Sequence, residues 1–595
     1  MQTPQPITSY NTKLQAYTKA ANSLNKKIKR IMSFRLLSML FTFLLFIYGI
    51  SSNQPIALYA SGALLIVFLI LLQWQNKEEN KLKILKAHVL VYNEEVQFLE
   101  KGILPEPNGA EYIDTQHRFT YDLDVFGPHS LYHYINRTKT HLGELQLVKM
   151  LNEQSYNDIH QKQEILKELG QDPDWIKKMQ AHAYLCFETK ENVDRLFLWL
   201  GNKEVNVPKW LNFYSKIAFL PILVLLVLQF TTALEVSNIL IFVFIFHMIL
   251  SGSIKKRNQS LERGVDYMGN HIQQYAILFQ NLEEKTFQSE GLQKLQSTIL
   301  KEGSFKASEN LFSLSNIFKR FENIQNLFGN VILNGLFLYH IKSLTQLENW
   351  HDKHNHHLKE QLETWALFES YMSLALFHIN HPQFVFPTIS ETEIEWEGIG
   401  HPLMSPTNMV TNDVSFSTPP FVILTGSNMS GKSTFLRSVG INYLLFSLGA
   451  PVFAKKAVLK PLPLYVSMRQ TDSLSDNESY FYAEIKRLKS IKDALSEKPH
   501  FILLDEILRG TNSDDKTNGA IGLLEQLQQM EVHGVIATHD LEVCEMAGTH
   551  PDFYINYCFE SQIIDDDLYF DYILRKGICK NRSATFLMKK MGILA

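Results

Sequence analysis

Charge of either sign is in short surplus along this 595-residue chain: 57 Lys and Arg stand against 61 Asp and Glu, a formal charge of −4, with a pI near 6.6. No global basic excess exists, so any contact with nucleic acid has to come from a local patch. Cysteine is scarce as well. Cys186, Cys544, Cys558 and Cys579 are scattered without a CxxC pair, which argues against a zinc site or disulfide frame and for reduced thiols in a cytosolic compartment. Short-period repeats and low-complexity linkers are missing. The first apolar run starts too late, and lacks the small-residue cleavage pattern, for a removable signal peptide. What remains is a chain too long for one ordinary domain, with about three or four expected. Its 45% hydrophobic and 12% aromatic content is enough for a sizeable core.

Long hydrophobic runs are present in two pairs. Leu36 to Ile50 and Ile56 to Trp74 flank the polar turn Ser51 to Pro55; Ile217 to Leu234 and Val236 to Leu250 are separated by little more than Glu235. Each run approaches the roughly 17 to 20 residues needed to cross a hydrocarbon core. Lys26, Lys27, Lys29, Arg30 and Arg35 precede the first pair, and Lys77, Lys81, Lys83 and Lys86 follow it. Lys209 and Lys216 precede the second pair, and Lys255, Lys256 and Arg257 close it. Neither connecting turn carries Lys or Arg. This asymmetry predicts two transmembrane hairpins with both ends of each on the cytoplasmic side. Tyr48 and Trp74 are candidate interfacial anchors, and His247, near the cytoplasmic end of the last span, is expected at the interface.

Between the hairpins and beyond them the spacing is helical. Leu147, Met150 and Leu151 mark one face in the stretch from Asp114 to Lys203, long helical patterns resume from Asn258 to about His381, and Leu347 to Leu376 reads as a single helix. His351, His354, His356 and His357 crowd that helix and read as a solvated face. Pro382, Pro387 and strand-like alternation near Ile394 to Trp396 announce a different C-terminal domain.

That domain carries the chemistry. The apolar run Phe421 to Leu424 leads into Gly426-x-x-x-x-Gly431-Lys432-Ser433, followed by helical character. Strand, glycine loop and helix in this order form a phosphate-binding loop. The glycines let backbone N–H groups face phosphate oxygens, Lys432 reaches the β- and γ-phosphates, and the Ser433 hydroxyl ligates Mg²⁺. His500 to Glu506 is a second buried strand ending in two acids, Asp505 for Mg²⁺ and Glu506 as general base toward water. Val535 to His539 is a third, with His539 available to a γ-phosphate. Ser479-Tyr-Phe-Tyr-Ala-Glu484 opens a helix whose N-terminus is suited to a phosphate held by a second subunit.

Together these residues resemble the MutS family, the ABC-class ATPases of DNA mismatch repair. Thr425-Gly-Ser-Asn-Met-Ser-Gly-Lys-Ser-Thr434 is similar to the family's TGxNMxGKST. Leu503-Leu-Asp-Glu-Ile-Leu-Arg-Gly-Thr511 is similar to LLDEIGRGT with Leu508 in place of a glycine, and Ala537-Thr-His539 to ATH. Gly400-His401-Pro402 with Asn412-Asp413 resembles the lead-in to an adenosine pocket, and Tyr121 to Thr138 with Leu142-Gly143 the start of the core domain.

The resemblance implies an α/β ABC-type P-loop ATPase domain over 396–595. An all-α core and lever domain over 110–395 precedes it and holds the second transmembrane hairpin (about 217–250). The region 1–109 holds the first hairpin (about 36–74). It implies ATP bound by Thr425, Gly426, Ser427, Asn428, Met429, Ser430, Gly431, Lys432, Ser433, Thr434, His401 and Asn412. Catalysis falls to Glu506, His539 and Lys432, and Mg²⁺ to Ser433 and Asp505. A homodimer is implied, in which Ser479 of one subunit completes the site of the other.

The expected function is an ATP-switched, membrane-anchored DNA clamp with its bulk in the cytoplasm, acting on mismatched or branched DNA. The second reading is a membrane-tethered mechanochemical ATPase that acts on a protein or envelope partner without DNA. Departures from the family bear on that choice. Only about a hundred residues precede the core, leaving no room for a separate mismatch-reading domain. The second hairpin falls where repair members carry a DNA-gripping clamp, and Tyr480 and Tyr482 depart from the usual signature pattern.

Overall fold

The computed structural model describes residues 5–186, 189–201, 207–232, 236–257, 268–300, 306–324, 327–404, 409–427, 429–469, 480–508, 511–564, 567–579 and 593. Two helices of 47 residues each, α1 (Gln5–Ser51) and α2 (Pro55–Lys101), run antiparallel as one long hairpin. Pro55 stands at the start of α2, where its missing N–H costs nothing. Gly102, at φ 66°, ends the helix by donating to the Gln97 and Phe98 carbonyls. The distal half, Phe34 to Trp74, exposes apolar side chains such as Phe34, Phe43, Ile56 and Ile70. The proximal half is a polar stalk sealed by Tyr10, Ala21, Ile28, Leu82, Val91 and Tyr92. Both apolar runs are therefore the outer parts of much longer helices.

The stalk is docked by charge as well as by packing. Glu95 of α2 is fully buried and accepts from Arg137 Nε at 2.8 Å, Lys177 Nζ at 3.0 Å and Asn380 Nδ2 at 2.8 Å. Such a carboxylate is tolerated in the interior because its charge is paired and its lone pairs are used. The Arg137 and Lys177 charges hold it down at about 2 despite burial that pushes the other way.

Helices α3 (Leu131–Ile135), α4 (His141–Asn152), α5 (Ile159–Gly170), α6 (Pro173–Tyr184) and α7 (Lys190–Gly201) form the first part of the helical core. The second apolar pair follows as α8 (Lys209–Ile217), α9 (Phe219–Thr231) and α10 (Ser237–Arg257). Among the described residues, four segments are long and apolar enough to cross a membrane: Pro6–Ser51, Pro55–Lys101, Lys209–Thr231 and Ser237–Ile254. The core resumes with α11 (Met268–Glu284), α12 (Glu290–Leu300), α13 (Ala307–Asn323), α14 (Leu327–Phe337) and the 42-residue α15 (Tyr339–Asn380).

His247, expected at a membrane interface, is enclosed by protein side chains. It is fully buried, with Nε2 bonded to the Tyr214 hydroxyl at 2.8 Å and Nδ1 to the Gly335 carbonyl at 2.9 Å. The apolar α14 covers it, and at Gly335 the Phe244 ring leaves no room for a Cβ. His351 also departs from the solvated face expected of the histidine cluster. It is buried, with Trp199 edge-on at 5.3 Å.

The C-terminal region is α/β. Strand β1 (Thr388–Ile389) pairs with β5 (Lys456–Leu459), so pairing starts a few residues ahead of position 396. With β2 (Glu395–Ile399) and β3 (Asn412–Ser415) these make a four-stranded sheet in the order β1-β5-β2-β3. The larger sheet contains β4 (Phe421–Gly426), β6 (Leu464–Ser467), β7 (His500–Asp505), β8 (Val532–Ala537), β9 (Tyr554–Ile564) and β10 (Asp567–Lys576). Its order is β10-β9-β4-β8-β7-β6, parallel except for β10. Helices α16 (Lys432–Ser447), α17 (Tyr480–Glu497), α18 (Ser513–Leu527) and α19 (Met546–Thr549) accompany it. The main apolar cluster runs unbroken from the helical core into this region.

Candidate nucleotide site

Parallel pairing brings three sequence-distant strand ends to one edge. In register, Leu424 of β4 and Asp505 of β7 both face Ala537 of β8. The segments leaving these strands carry Gly426, Glu506 and His539, and carboxyl ends of parallel strands are where open α/β sheets hold ligands. The buried runs explain the arrangement: all six residues of β4, β7 and β8 are enclosed, as a sheet covered on both faces requires.

The glycine loop leaves β4 and returns as α16. Gly431, at φ 100°, occupies a backbone region that side chains rarely adopt, and a Cβ there would lie 3.1 Å from the Tyr572 ring. Lys432 Nζ donates to the Gly426 carbonyl at 2.9 Å and the Ser427 carbonyl at 3.2 Å, and lies 3.3 Å from His539 Nε2. Ser433 Oγ donates to Asp505 Oδ2 at 2.6 Å. Glu506 Oε1 is 2.8 Å from the same His539 nitrogen. The Ser433–Asp505 pair and the Lys432–His539–Glu506 set thus stand on adjacent residues of the same two segments, His539 coming from a third.

The loop after β7 is held in an uncommon conformation. Glu506 and Leu508 have φ 48° and 59°, each costing about 1–2 kcal/mol for a side-chain-bearing residue. The Glu506 N–H donates to the Ala537 carbonyl at 2.9 Å, and the Leu508 N–H to Glu484 Oε1 of α17 at 2.5 Å. At Gly519 of α18 the Leu508 side chain fills the space a Cβ would take. Backbone bonds and packing therefore fix the carboxylate of Glu506 at the site.

A cavity of about 480 Å³ adjoins this group, bounded by the glycine loop, Gly400-His401, Glu506 and the aromatic pair Phe559 and Tyr572. Ser427, Met429, Ser430, Gly431, Lys432, Ser433 and Thr434 line it. His401 lines it too; burial, with Arg437 nearby, drops its pKa to about 4, so its imidazole is neutral at pH 7. Asn412 reaches the wall, but its amide is engaged by the sheet edge. Nδ2 donates to the Tyr572 carbonyl at 3.1 Å, and Oδ1 accepts from the Leu574 N–H at 2.7 Å. Thr425 lies beneath the loop, donating to the Tyr557 carbonyl at 3.3 Å and accepting from the Cys579 N–H at 3.1 Å. Asn428 and Ser479 lie outside the described residues.

Three features escape the sequence reading. Tyr572 arrives from a register shift between Phe570 and Leu574, at φ 55°, and stands over Gly431. Glu484 was visible as a letter, yet its hold on Leu508 depends on two helices meeting. The third is a junction with the helical core. Asp122 Oδ1 accepts from the Met468 and Arg469 N–H groups, both at 2.7 Å, and Arg487 lies 3.1 Å from its Oδ2. Asp124 pairs with Arg469.

Comparison with known proteins gives these elements a context. The MutS domain V family profile matches residues 422–593. The DNA mismatch repair protein MutS of Thermotoga maritima is 33% identical over 203 residues, covering 33% of this chain and 25% of that protein. Its namesake in Leptospira interrogans is 30% identical over 221 residues, covering 35% and 26%. Human MutS protein homolog 4 is 25% identical over 241 residues, covering 39% and 25%. The matched stretch spans about a quarter of the length of these curated relatives.

Proposed function

We propose that this chain, which belongs to the MutS family, is an ATP-hydrolysing switch anchored in a membrane by its two helical hairpins, with its bulk in the cytoplasm. The observation that carries the enzymatic reading is the convergence of Lys432, the Ser433–Asp505 pair and the Glu506–His539 pair beside one cavity. ATP is the substrate. The loop N–H groups and the start of α16 receive its phosphates, with Lys432 adding a positive charge. The Ser433 hydroxyl and Asp505 carboxylate are hard oxygen donors that fit Mg²⁺. When bound, that ion supplies neutralisation of phosphate charge.

Glu506 is the general base toward the attacking water. Its contact with His539 orients the carboxylate and gives the imidazole a place near the transferred phosphate. The neutral His401 and the aromatic side chains Tyr572 and Phe559 offer the apolar end of the cavity to the base. The partner's Ser479, preceding α17, completes the site in a homodimer.

The membrane reading is supported by four long apolar segments with exposed side chains and by Lys and Arg at the cytosolic ends. Helix α15 connects the two halves of the proposal. Its start lies beside α10 and α14, its end leads through His381 to β1, and at 1.5 Å per residue its 42 residues span about 63 Å. Nucleotide state is thereby passed to the second hairpin.

A DNA clamp is the second reading, favoured by the relatives named as DNA mismatch repair proteins. It stands second because residues 268–380 hold nine Lys and Arg against eleven Asp and Glu, no surplus for neutralising phosphates. The test is ATP turnover by detergent-purified protein with homoduplex, mismatched or branched DNA. Mg²⁺-dependent hydrolysis that none of the DNAs alters supports the first reading. Stimulation and salt-sensitive binding by one DNA structure would establish the second, and absence of hydrolysis would remove both.

A further inference from the structure

Where the stalk meets the apolar half of the first hairpin, its charge is almost all of one sign. Residues 26–35 and 75–86 hold nine Lys and Arg against two Asp and Glu. Both acids are turned to local use. Glu78, buried against α1, pairs with Lys27 at 3.3 Å and Lys81 at 3.2 Å, while Glu79 accepts from Gln75 Nε2 at 2.7 Å. The side chains of Lys26, Lys29, Arg30, Lys77, Lys83 and Lys86 are exposed. The Lys27 ammonium sits 5.3 Å from the Trp74 ring centre, at the level where the exposed apolar surface begins.

Helix geometry sets the heights of these charges. At 1.5 Å per residue, Arg30 and Lys77 lie about 6 Å or less along the helix from the Phe34–Trp74 level, and Lys26 and Lys83 about 12–14 Å. A lysine stem adds several ångströms of reach, and the screening length at physiological salt is about 8 Å. We propose that this basic collar binds the phosphate groups of anionic lipids in the leaflet next to the stalk, fixing the depth and tilt of the first hairpin. The inference rests on the membrane reading of Phe34 to Trp74. A bilayer that accepts those side chains brings its own phosphates to the collar, whereas a DNA duplex would have to occupy the same few ångströms.

The experiment uses full-length protein, purified in detergent and stripped of lipid, titrated with mixed micelles containing phosphatidylcholine or phosphatidylglycerol. With roughly fivefold in affinity per favourably placed cation, preference for phosphatidylglycerol is about tenfold or more at low salt, and it collapses at high salt. The K26Q/K29Q/R30Q/K77Q/K83Q/K86Q variant binds both lipids alike, and the matching lysine-to-arginine variant (K26R/K29R/K77R/K83R/K86R) keeps the preference. Retained nucleotide binding in both variants shows that they are folded. Equal binding of the two lipids by the unmodified chain overturns the proposal, as does an undiminished preference in the glutamine variant. Displacement of phosphatidylglycerol by a short DNA duplex that binds the collar more tightly also overturns it, making the collar a nucleic-acid surface. Chain that remains soluble without detergent removes the membrane reading itself; membrane-bound chain with no lipid preference removes only the collar.

Discussion

At the scale of single residues, Glu506 has the sharpest role. It is held in a left-handed conformation with its N–H on the Ala537 carbonyl and its carboxylate against His539. Glu506→Gln keeps the shape and loses the base, so ATP stays bound while turnover falls about 10²- to 10⁴-fold. Nucleotide binding beside single-turnover hydrolysis measures this, and unchanged turnover removes the role. Glu484 acts one step away. Glu484→Ala leaves the Leu508 N–H without its acceptor and costs about 1–3 kcal/mol of stability. The expected kinetic mark is a lower kcat with little change in KM, because Glu506 loses its support; a pure KM effect contradicts this.

His381 offers a pH readout. Its Nδ1 is bonded to the Phe377 carbonyl at 2.8 Å and its Nε2 to the Tyr134 hydroxyl at 3.0 Å, among three phenylalanines. Burial, with the Arg137 charge adding to it, lowers the pKa to about 4 in spite of the Phe377 bond. The unfolded chain takes up this proton below about pH 6.5 and the folded chain does not. Stability from this group is therefore complete above pH 6.5 and lost as pH falls, by about 2 kcal/mol at pH 5. In His381→Gln the loss between pH 7 and pH 5, followed by denaturant unfolding, shrinks by about that amount. An identical slope contradicts the assignment.

At the scale of elements, close approaches decide what moves together. Helix α16 meets the helical core at Gly440, where a Cβ would lie 2.5 Å from Leu123. Gly440→Val overpacks this contact and costs about 1–3 kcal/mol, read as a lower thermal midpoint; an unchanged midpoint means the two regions are not tightly joined.

Elements also show what a sequence reveals. The glycine loop and the acidic strand end are legible because their chemistry is contained in about ten consecutive residues with a required order. The apolar runs are legible because hydrocarbon solvation depends on composition and length. The stalk is marked only by single apolar residues set amid charge: Tyr10, Leu14, Tyr17, Ala21, Leu24 and Ile28 recur four and three apart along α1 and meet α2, so the helices extend far beyond the continuous runs that announce them. Tyr572 over Gly431, Glu484 on Leu508 and Asp122 on the Met468 and Arg469 amides each need strands or helices far apart in sequence to meet. The burial of His247 likewise depends on α14, nearly ninety residues away, covering the second hairpin.

At the scale of the whole molecule, the candidate nucleotide cavity and the apolar hairpins are linked by two packed routes. One is α15 into the second hairpin. The other is the buried Glu95 group, which ties α2 to α6 and to Asn380 at the end of α15. Membrane attachment and ATP hydrolysis are thus expected in one particle, and a single measurement addresses both. Membranes carrying the full chain are washed with alkaline carbonate, which strips peripheral proteins, and Mg²⁺-dependent ATP hydrolysis is assayed in pellet and supernatant beside the Glu506→Gln chain. The account predicts both chains in the pellet, with hydrolysis above background only for the unmodified one. Chain released into the supernatant, or equal hydrolysis by the two, would contradict it.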